Sequence, residues 1–236
     1  MTVDVFETIR GGLVVSCQAY PGEPMRDPKV MTAIARAVVD GGAVAVRAQG
    51  IADISSMRAE LAVPIIGLVK VGNDGVFITP TVADCVEVAD AGADIVALDG
   101  TTRPRPDGSS LQDCVAAIHA TGARVMADCG SVPDAIASLA AGADCVGTTL
   151  AGYTGARQRT DGPDLSLLAD MVAASTVPVL AEGRIRTPQE ARHCLDVGAF
   201  AVVVGTAITH PASITRTFAE ALRPGVPDGV GRDGRR

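Results

Sequence analysis

A lysine and a glutamate each close an apolar segment of the chain. Lys70 ends the run that begins at Ile65, and Glu182 ends the run that begins at Val177. A lysine at the end of a buried strand is partly desolvated, which favours the neutral amine that can take a proton or attack a carbonyl carbon. A carboxylate nearby can share that proton chemistry. These residue types predict proton transfer or covalent chemistry on a carbonyl compound.

Six other apolar runs also stop at a polar residue or a glycine. The eight endings are Gln18, Arg47, Lys70, Asp99, Asp128, Thr148, Glu182 and Gly205. A purely structural role can explain individual endings. Lys70 can be a solvated residue beyond its strand, and Arg47 can belong to an ion pair that stabilises the rim of the barrel. Asp99 can orient a substrate hydroxyl or only cap the next loop. Complementary charges that converge on one site make the functional reading stronger.

These runs are predicted to be strands that alternate with helices. The strands are predicted over 13–17, 43–47, 65–70, 94–99, 124–128, 145–148, 177–182 and 201–205. The helices are predicted over 28–40, 52–60, 81–91, 111–121, 132–141, 165–174, 188–197 and 211–222. The strands are continuously apolar, as expected when both faces are covered. Eight βα units predict an α/β fold, a parallel (β/α)8 TIM barrel, whose chemistry lies at the carboxyl ends of the strands.

The predicted helices carry start and stop signals. Asp27, Ser131, Asp164 and Thr187 stand where a capping side chain is expected. A Gly-Ala pair follows five of the helices, and glycine is favoured there because a left-handed residue ends a helix. The first strand is not followed by a GxGxxG motif, which disfavours a dinucleotide-binding sheet.

Length and composition are consistent with one barrel. The 236 residues are 47% hydrophobic and 3% aromatic, with no Trp, so Val, Ile, Leu and Ala must form the core. We predict a catalytic barrel over residues 1–223 and a disordered tail over 224–236, which is rich in Gly, Pro and Arg.

Charge and cysteine usage exclude several function classes. The net charge of −7 argues against a nucleic-acid partner. The amino terminus does not resemble a signal peptide, and no apolar stretch is long enough to span a membrane. Six scattered cysteines without a CxxC pair indicate reduced, buried thiols and therefore the cytoplasm. The histidines His119 and His193 fall in predicted outer helices, so no metal is expected, and no other cofactor is indicated.

The last two strands are followed by glycine-containing turns. Gly183 follows the seventh strand, and Gly205 and Thr206 follow the eighth. Barrels often bind a phosphate at these loops through backbone N–H groups, although two ordinary tight turns would look the same. His210 lies just beyond and could also approach a phosphate. The long loop over 150–163 is a candidate lid.

Seven stretches of the chain are distinctive: 13–19 (LVVSCQA), 41–48 (GGAVAVRA), 66–70 (IGLVK), 97–106 (ALDGTTRPRP), 145–154 (CVGTTLAGYT), 181–185 (AEGRI) and 203–209 (VVGTAIT). Together with 76–81, 126–128 and 161–164, they resemble the N-acetylmannosamine-6-phosphate 2-epimerase family. The resemblance extends over nearly the whole chain up to about Leu222. It implies interconversion of N-acetylmannosamine 6-phosphate and N-acetylglucosamine 6-phosphate in sialic-acid breakdown, acting on a small phosphorylated amino sugar without a cofactor.

The resemblance also implies roles for individual residues. Lys70 and Glu182 match the catalytic positions. Gln18, Arg47 and Asp128 match the sugar-contacting positions, and Gly183, Gly205 and Thr206 match the phosphate loops. Two departures are visible: the segment 71–75 is short and lacks a tyrosine, and His210 stands where an arginine is common.

Two other functions remain open from the sequence. Lys70 could form a Schiff base with a sugar-phosphate carbonyl, as in a lyase or synthase. The barrel could also bind sugar phosphates without turnover, although a binder has no need of a desolvated base. The number of catalytic bases and the oligomeric state are also open, and a homodimer is one option.

Overall fold

The computed structural model describes residues 4–223, and the predicted tail over 224–236 lies outside this range. Eight parallel strands pair in chain order, and β8 pairs with β1 to close the barrel, so the predicted (β/α)8 fold is confirmed. The strands are β1 (Leu13–Cys17), β2 (Ala45–Gln49), β3 (Ile65–Leu68), β4 (Ile95–Asp99), β5 (Arg124–Asp128), β6 (Cys145–Gly147), β7 (Val179–Glu182) and β8 (Ala201–Val204).

Ten helices accompany the strands within the described range. They are α1 (Val5–Ile9), α2 (Pro28–Asp40), α3 (Ile51–Glu60), α4 (Val82–Asp90), α5 (Leu111–Thr121), α6 (Val132–Ala141), α7 (Leu165–Ala174), α8 (Pro188–Val197), α9 (Thr206–Thr209) and α10 (Pro211–Ala221). Eight correspond to the predicted helices within one residue at each end. The sequence predicts neither α1 nor the bounds of α9, because segments this short have no readable helical period.

The predicted bounds of two strands were wrong in ways that matter. β2 begins at Ala45 because Ala43 is still part of the turn that closes α2, where its N–H donates to the carbonyl of Val38 at 3.0 Å. β3 ends at Leu68, so Lys70 is not part of it. Beyond Leu68 the chain pairs with its own returning segment, and Lys70 forms an antiparallel bridge with Ile78.

Capping fixes where the helices begin and end. The four predicted caps, Asp27, Ser131, Asp164 and Thr187, each accept a backbone N–H of the first turn. Each such cap stabilises its helix by about 1 kcal/mol. The five predicted glycines after helices, Gly42, Gly92, Gly122, Gly142 and Gly198, all have positive φ. The helix ends are therefore set by local sequence, which leaves short connections into the next strand.

Alternation along the strands separates two apolar layers. On β3, Ile66 and Leu68 face the barrel interior, whereas Ile65 packs in the layer between strands and helices. Because successive side chains on a strand point to opposite faces, the inward positions recur every second residue. On β2, Arg47 comes two residues after the interior residue Ala45, and on β5, Asp128 comes two residues after the interior residue Met126. The side chains of Arg47 and Asp128 therefore face the interior. The last inward residues of the strands therefore meet at one end of the barrel.

The other end of the barrel is covered by α1. Ile9 is fully buried against the interior layer, and the rings of Phe6 and Phe200 pack edge to face with centroids 6.4 Å apart. The Gly11 N–H donates to the Phe200 carbonyl at 2.7 Å, and Asp4 caps the helix. This cover leaves the carboxyl ends of the strands as the open mouth.

No helix within residues 4–223 combines the length and apolar character needed to cross a bilayer. All six cysteines are free and buried, as the sequence predicted.

Gly67 tests the close packing between the barrel and its helices. A Cβ at this position would lie 2.6 Å from Ala93 Cβ and 2.9 Å from Val88 Cγ1. Gly67→Ala is therefore expected to lower the free energy of unfolding by about 1–3 kcal/mol, the usual cost of overpacking. Urea denaturation measures this value. Gly162→Ala is the control, because its added Cβ would meet only the flexible end of Glu190; equal stability of the two variants would contradict the packing argument.

Candidate active site

An arginine between two carboxylates forms the centre of the open mouth. Arg47 on β2 donates to both carboxylate oxygens of Asp128 on β5, at 3.1 Å and 2.6 Å. Its Nη1 also lies 3.0 Å from Glu182 Oε2 on β7. This arrangement ties together three strands that are not neighbours in the barrel.

Arg47 and Asp128 are buried, with side-chain exposures of 1% and 0%, and Glu182 is 14% exposed. Burial on its own would lower the pKa of the Arg47 guanidinium, but Asp128 and Glu182 raise it above its ordinary value. A charge this deep in a protein is tolerated only when it is paired and hydrogen-bonded. Arg47 therefore carries a fixed positive charge at this depth.

Thr149 completes the cluster, and the sequence analysis missed it. Its hydroxyl lies 2.7 Å from Asp128 Oδ1 and 3.1 Å from Glu182 Oε2, so it can donate to either carboxylate. The sequence did contain a signal, because Thr149 has the same two-residue parity as the interior residue Cys145. Gly147 lies between them and leaves the space that the cluster needs: a Cβ there would be 2.5 Å from Met126 Cε.

Lys70 approaches the mouth from a different side. Its Nζ donates to Gln18 Oε1 at 2.9 Å, and Gln18 Nε2 donates in turn to Ser16 Oγ at 2.7 Å. Burial lowers the pKa of the Lys70 amine, and the charge of Arg47 lowers it further, while Glu182 and Asp128 act in the opposite direction. Within residues 4–223, Lys70 forms no ion pair of the kind that holds Arg47. The neutral amine is thus favoured more than in an exposed lysine.

The backbone around Lys70 is held by the segment that returns toward β4. The Val71 N–H donates to the Phe77 carbonyl at 3.0 Å, and the Thr79 N–H donates to the Val69 carbonyl at 2.8 Å. Thr79 has a φ of 43°, and its hydroxyl donates to the Ala97 carbonyl at 2.6 Å. This short hairpin contains the segment 71–75 noted above and fixes the position from which Lys70 extends.

An aromatic ring lies beside Lys70 even though that hairpin has no tyrosine. The Tyr20 ring, from the loop after β1, has its centroid 5.9 Å from Lys70 Nζ. His210 packs edge to face on the same ring and lies 2.5 Å from Glu23 Oε1 through its Nε2. His210 is therefore occupied by a carboxylate and a ring, which does not favour the phosphate contact considered from the sequence.

The Glu182 carboxyl has a raised pKa and lies across the mouth from Lys70. Burial raises the pKa of the Glu182 carboxyl above its ordinary value, although the charge of Arg47 opposes this shift. In a closed barrel of eight strands in sequential order, β3 and β7 lie opposite each other. Lys70, just beyond β3, and Glu182 on β7 thus stand on opposite sides of the mouth.

The three residues predicted for phosphate lie at the ends of β7 and β8. Gly183 has a φ of 110°, a conformation that favours glycine. Gly205 precedes α9, and Thr206 is the first residue of that helix. The Thr209 hydroxyl donates to the Ser16 carbonyl at 2.7 Å, which anchors α9 to β1. Both turns therefore lie at the same end of the barrel as Lys70 and Glu182.

Two strand-end residues have structural partners instead. Asp99 accepts hydrogen bonds from the Thr101 N–H and hydroxyl and pairs with Arg103 at 2.6 Å, so it caps the following loop rather than facing a substrate. The Thr148 hydroxyl donates to the Glu182 carbonyl and accepts from the Glu182 N–H, at 2.8 Å and 3.0 Å. Thr148 thus fixes the backbone that presents Glu182.

The candidate lid over 150–163 is fastened by an arginine that follows β7. Arg184 donates to the carbonyls of Ala151 and Gly162, at 2.8 Å and 3.1 Å, and to the Thr160 hydroxyl at 3.0 Å. Its guanidinium also lies 5.5 Å from the centroid of the Tyr153 ring. These contacts join the loop to the turn that contains Gly183.

His119 and His193 are exposed on the outer helices, as expected. No cluster of His, Cys, Asp or Glu suited to a metal occurs among residues 4–223.

The chain matches a known family over residues 31–224, described as "Putative N-acetylmannosamine-6-phosphate epimerase". A relative from Cutibacterium acnes, named "Putative N-acetylmannosamine-6-phosphate 2-epimerase", is 54% identical over 222 residues, covering 93% of this chain and 97% of the relative. A relative of the same name from Caldanaerobacter subterraneus is 42% identical over 227 residues, covering 94% and 96%.

Solved structures agree with the sequence comparison. The N-acetylmannosamine-6-phosphate 2-epimerase from Clostridium perfringens matches with a TM-score of 0.91 and 40% identity, over 94% of this chain and 98% of that chain. A thiamine phosphate pyrophosphorylase from Pyrococcus furiosus, at 18% identity and a TM-score of 0.59, shares the fold alone. Sequence and structure together show that the chain belongs to the N-acetylmannosamine-6-phosphate 2-epimerase family.

Proposed function

We propose that this protein is an isomerase that interconverts N-acetylmannosamine 6-phosphate and N-acetylglucosamine 6-phosphate in amino-sugar breakdown. The observation that carries the proposal is a desolvated lysine and a buried glutamate on opposite sides of one barrel mouth, in a chain of this family. The names of the relatives do not favour a lyase, a synthase or a barrel without activity.

Inversion at C2 requires the removal of a proton from the carbon next to C1. This proton becomes acidic when the sugar ring opens and C1 is an aldehyde. The neutral amine of Lys70 takes the proton, and the electrons of the C2–H bond form a C1–C2 double bond as the C1 oxygen becomes negative. Return of a proton to the other face of C2 restores the aldehyde and inverts the centre.

Arg47 supports this step through its field rather than through direct contact. It is buried and paired with both Asp128 and Glu182, and its charge lowers the pKa of the Lys70 amine. The same charge stabilises the oxyanion that develops when Lys70 removes the proton, and a fixed charge needs no reorganisation to do so. Asp128 holds Arg47 in place with both oxygens, so its role in sugar binding is indirect.

Glu182 is the candidate for the second proton transfer. A substrate lying between Lys70 and Glu182 presents opposite faces of C2 to the two groups, so the intermediate need not rotate. The raised pKa of the Glu182 carboxyl suits a group that must give up a proton near neutral pH. If Lys70 acts alone, the intermediate must turn over between the two transfers.

The remaining predicted residues bind the substrate. Gln18 contacts Lys70 and offers its amide to a sugar hydroxyl or to the acetamido group. Gly183, Gly205 and Thr206 offer backbone N–H groups to the phosphate, far from C2. Binding energy spent there fixes the geometry at the reacting carbon. The cytoplasm and a homodimer stay predictions, the first of them supported by six free thiols.

Exchange of the C2 proton in D2O tests both bases. Purified protein is expected to convert N-acetylmannosamine 6-phosphate in a coupled assay, and Lys70→Ala is expected to lose about 10²–10⁴-fold in kcat, the usual contribution of a general base. Glu182→Gln is expected to lose epimerisation but to exchange the C2 proton of one epimer, because Lys70 still reaches one face. Proton NMR follows both processes.

Two outcomes of that experiment would contradict the assignment. Epimerisation that survives in Lys70→Ala would exclude Lys70 as the base. Loss of exchange with both epimers in Glu182→Gln would make Glu182 necessary for the first abstraction or for ring opening. Full activity in Arg124→Lys, an exposed change at the other end of the barrel, serves as the control.

The pH dependence of kcat/KM follows from the lowered pKa of Lys70. The neutral amine is the active form, so activity rises with pH as the Lys70 ammonium loses its proton. Because burial and Arg47 lower this pKa, the midpoint of the rise is expected below the ordinary lysine value of about 10.4. Circular dichroism at each pH verifies that the protein is folded. A midpoint at or above the ordinary value would show that Lys70 is not desolvated.

Arg47→Lys tests the fork between Arg47 and Asp128. Lysine keeps the charge but cannot donate to both carboxylate oxygens in parallel, so we expect about 1–3 kcal/mol less stability and at least about a tenfold lower kcat. Urea denaturation and the coupled assay measure the two effects. Arg124→Lys, whose partner Asp144 is paired at the surface, should cost less than about 1 kcal/mol. Equal costs for the two substitutions would contradict a special role for the buried fork.

A further inference from the structure

A cavity of about 320 Å³ lies beside the loop between β4 and α5. Its walls include Thr102, Arg103 and Arg105 from that loop, Ser110 at the start of α5, and Ala137 on α6. Lys70, Arg47 and Glu182 do not line it. The cavity is therefore separate from the site at the barrel mouth.

Arg105 lines this cavity and has no counter-ion within residues 4–223. The residue is 6% exposed, and its Nη2 donates to the carbonyl oxygen of Asp99. Its Nη1 is buried and finds no hydrogen-bond partner among residues 4–223. Arg103 beside it pairs with the Asp99 carboxylate at 2.6 Å, and Arg105 has no such pair within the same range. A buried guanidinium without a counter-ion is costly, and an anion in the cavity would remove that cost.

The acidic residues near the cavity are already occupied as caps. Asp107 accepts the N–H groups of Val82 and Ser109, and Asp113 accepts the Ser110 N–H and hydroxyl in a capping box. Their carboxylates are exposed and do not reach Arg105. The positive end of the α5 dipole points to the same side of the loop.

We propose that this cavity is a second anion site, which binds a phosphate-class oxyanion through the guanidinium of Arg105, with Arg103 and the start of α5 as neighbours. The volume exceeds that of one phosphate ion, so a small organic phosphate also fits. The site neighbours the active site through the backbone, because the Gly100 N–H donates to the Asp128 carbonyl at 2.9 Å. An occupied cavity would brace the loop that follows β4.

Crystals soaked in selenate test the location directly. An anomalous peak is expected within hydrogen-bond distance of the Arg105 guanidinium. Absence of such a peak, in crystals that bind selenate at the β7 and β8 turns, would overturn the proposal.

Calorimetric titration with inorganic phosphate tests the site in solution. Arg105→Lys replaces the guanidinium by an ammonium and is expected to weaken this binding event at least about tenfold, the loss typical of one hydrogen bond to a charge. Ala137→Leu narrows the cavity while both arginines stay in place, and it should weaken the same event even if Arg105→Lys folds poorly. Arg36→Lys, an exposed change on α2, is the control.

A parallel titration with glycerol 3-phosphate identifies the source of the anion. If glycerol 3-phosphate binds more tightly than inorganic phosphate, the cavity is a site for organic phosphates. If it binds more weakly, the cavity is a site for the free phosphate ion. Phosphate affinity that is the same in the wild type, Arg105→Lys and Ala137→Leu would refute the site.

Discussion

The buried pairing of Arg47 with Asp128 and Glu182 is the interaction on which the active site depends. A guanidinium at 1% exposure is stable only because two carboxylates from distant strands surround it. Its neighbours fit this requirement: Gly147 leaves space, and Thr149 donates to the carboxylates. Apolar side chains such as Val14, Ile66 and Leu180 form the interior layer below this cluster, so the cluster is where the apolar layer ends and the reactive mouth begins.

The cluster also links the charge states of the two catalytic candidates. One positive charge faces two carboxylates, so the group is neutral when Glu182 holds a proton. The raised pKa of Glu182 moves the cluster toward that state, which leaves less negative charge to hold a proton on Lys70. A protonated glutamate opposite a neutral amine is a suitable starting pair, since one group can accept a proton while the other gives one up.

The fold separates stability from chemistry along the barrel axis. At the closed end, α1 covers the interior with Ile9 and an aromatic pair. At the open end, polar residues occupy the last inward-facing positions of the strands. Hydrogen bonds from neighbouring segments fix the backbone at these positions. Thr148 fixes the backbone of Glu182, and the hairpin after β3 fixes that of Lys70. These hydrogen bonds matter because a small displacement of a catalytic group relative to the reacting carbon greatly lowers the reaction rate.

The sequence by itself determined the architecture and most of the candidate site. Local signals sufficed for the helices, because caps such as Asp27 and glycines such as Gly142 act within a few residues. Apolar runs located the strands, and their polar endings identified Lys70, Arg47 and Glu182. Only the tertiary structure decided which of these endings face the mouth and which, like Asp99, are used to cap a loop. It also showed that Thr149 belongs to the cluster and that Lys70 lies beyond its strand. These features depend on contacts between residues far apart in the chain, and periodicity along one strand carries no information about what lies across the barrel.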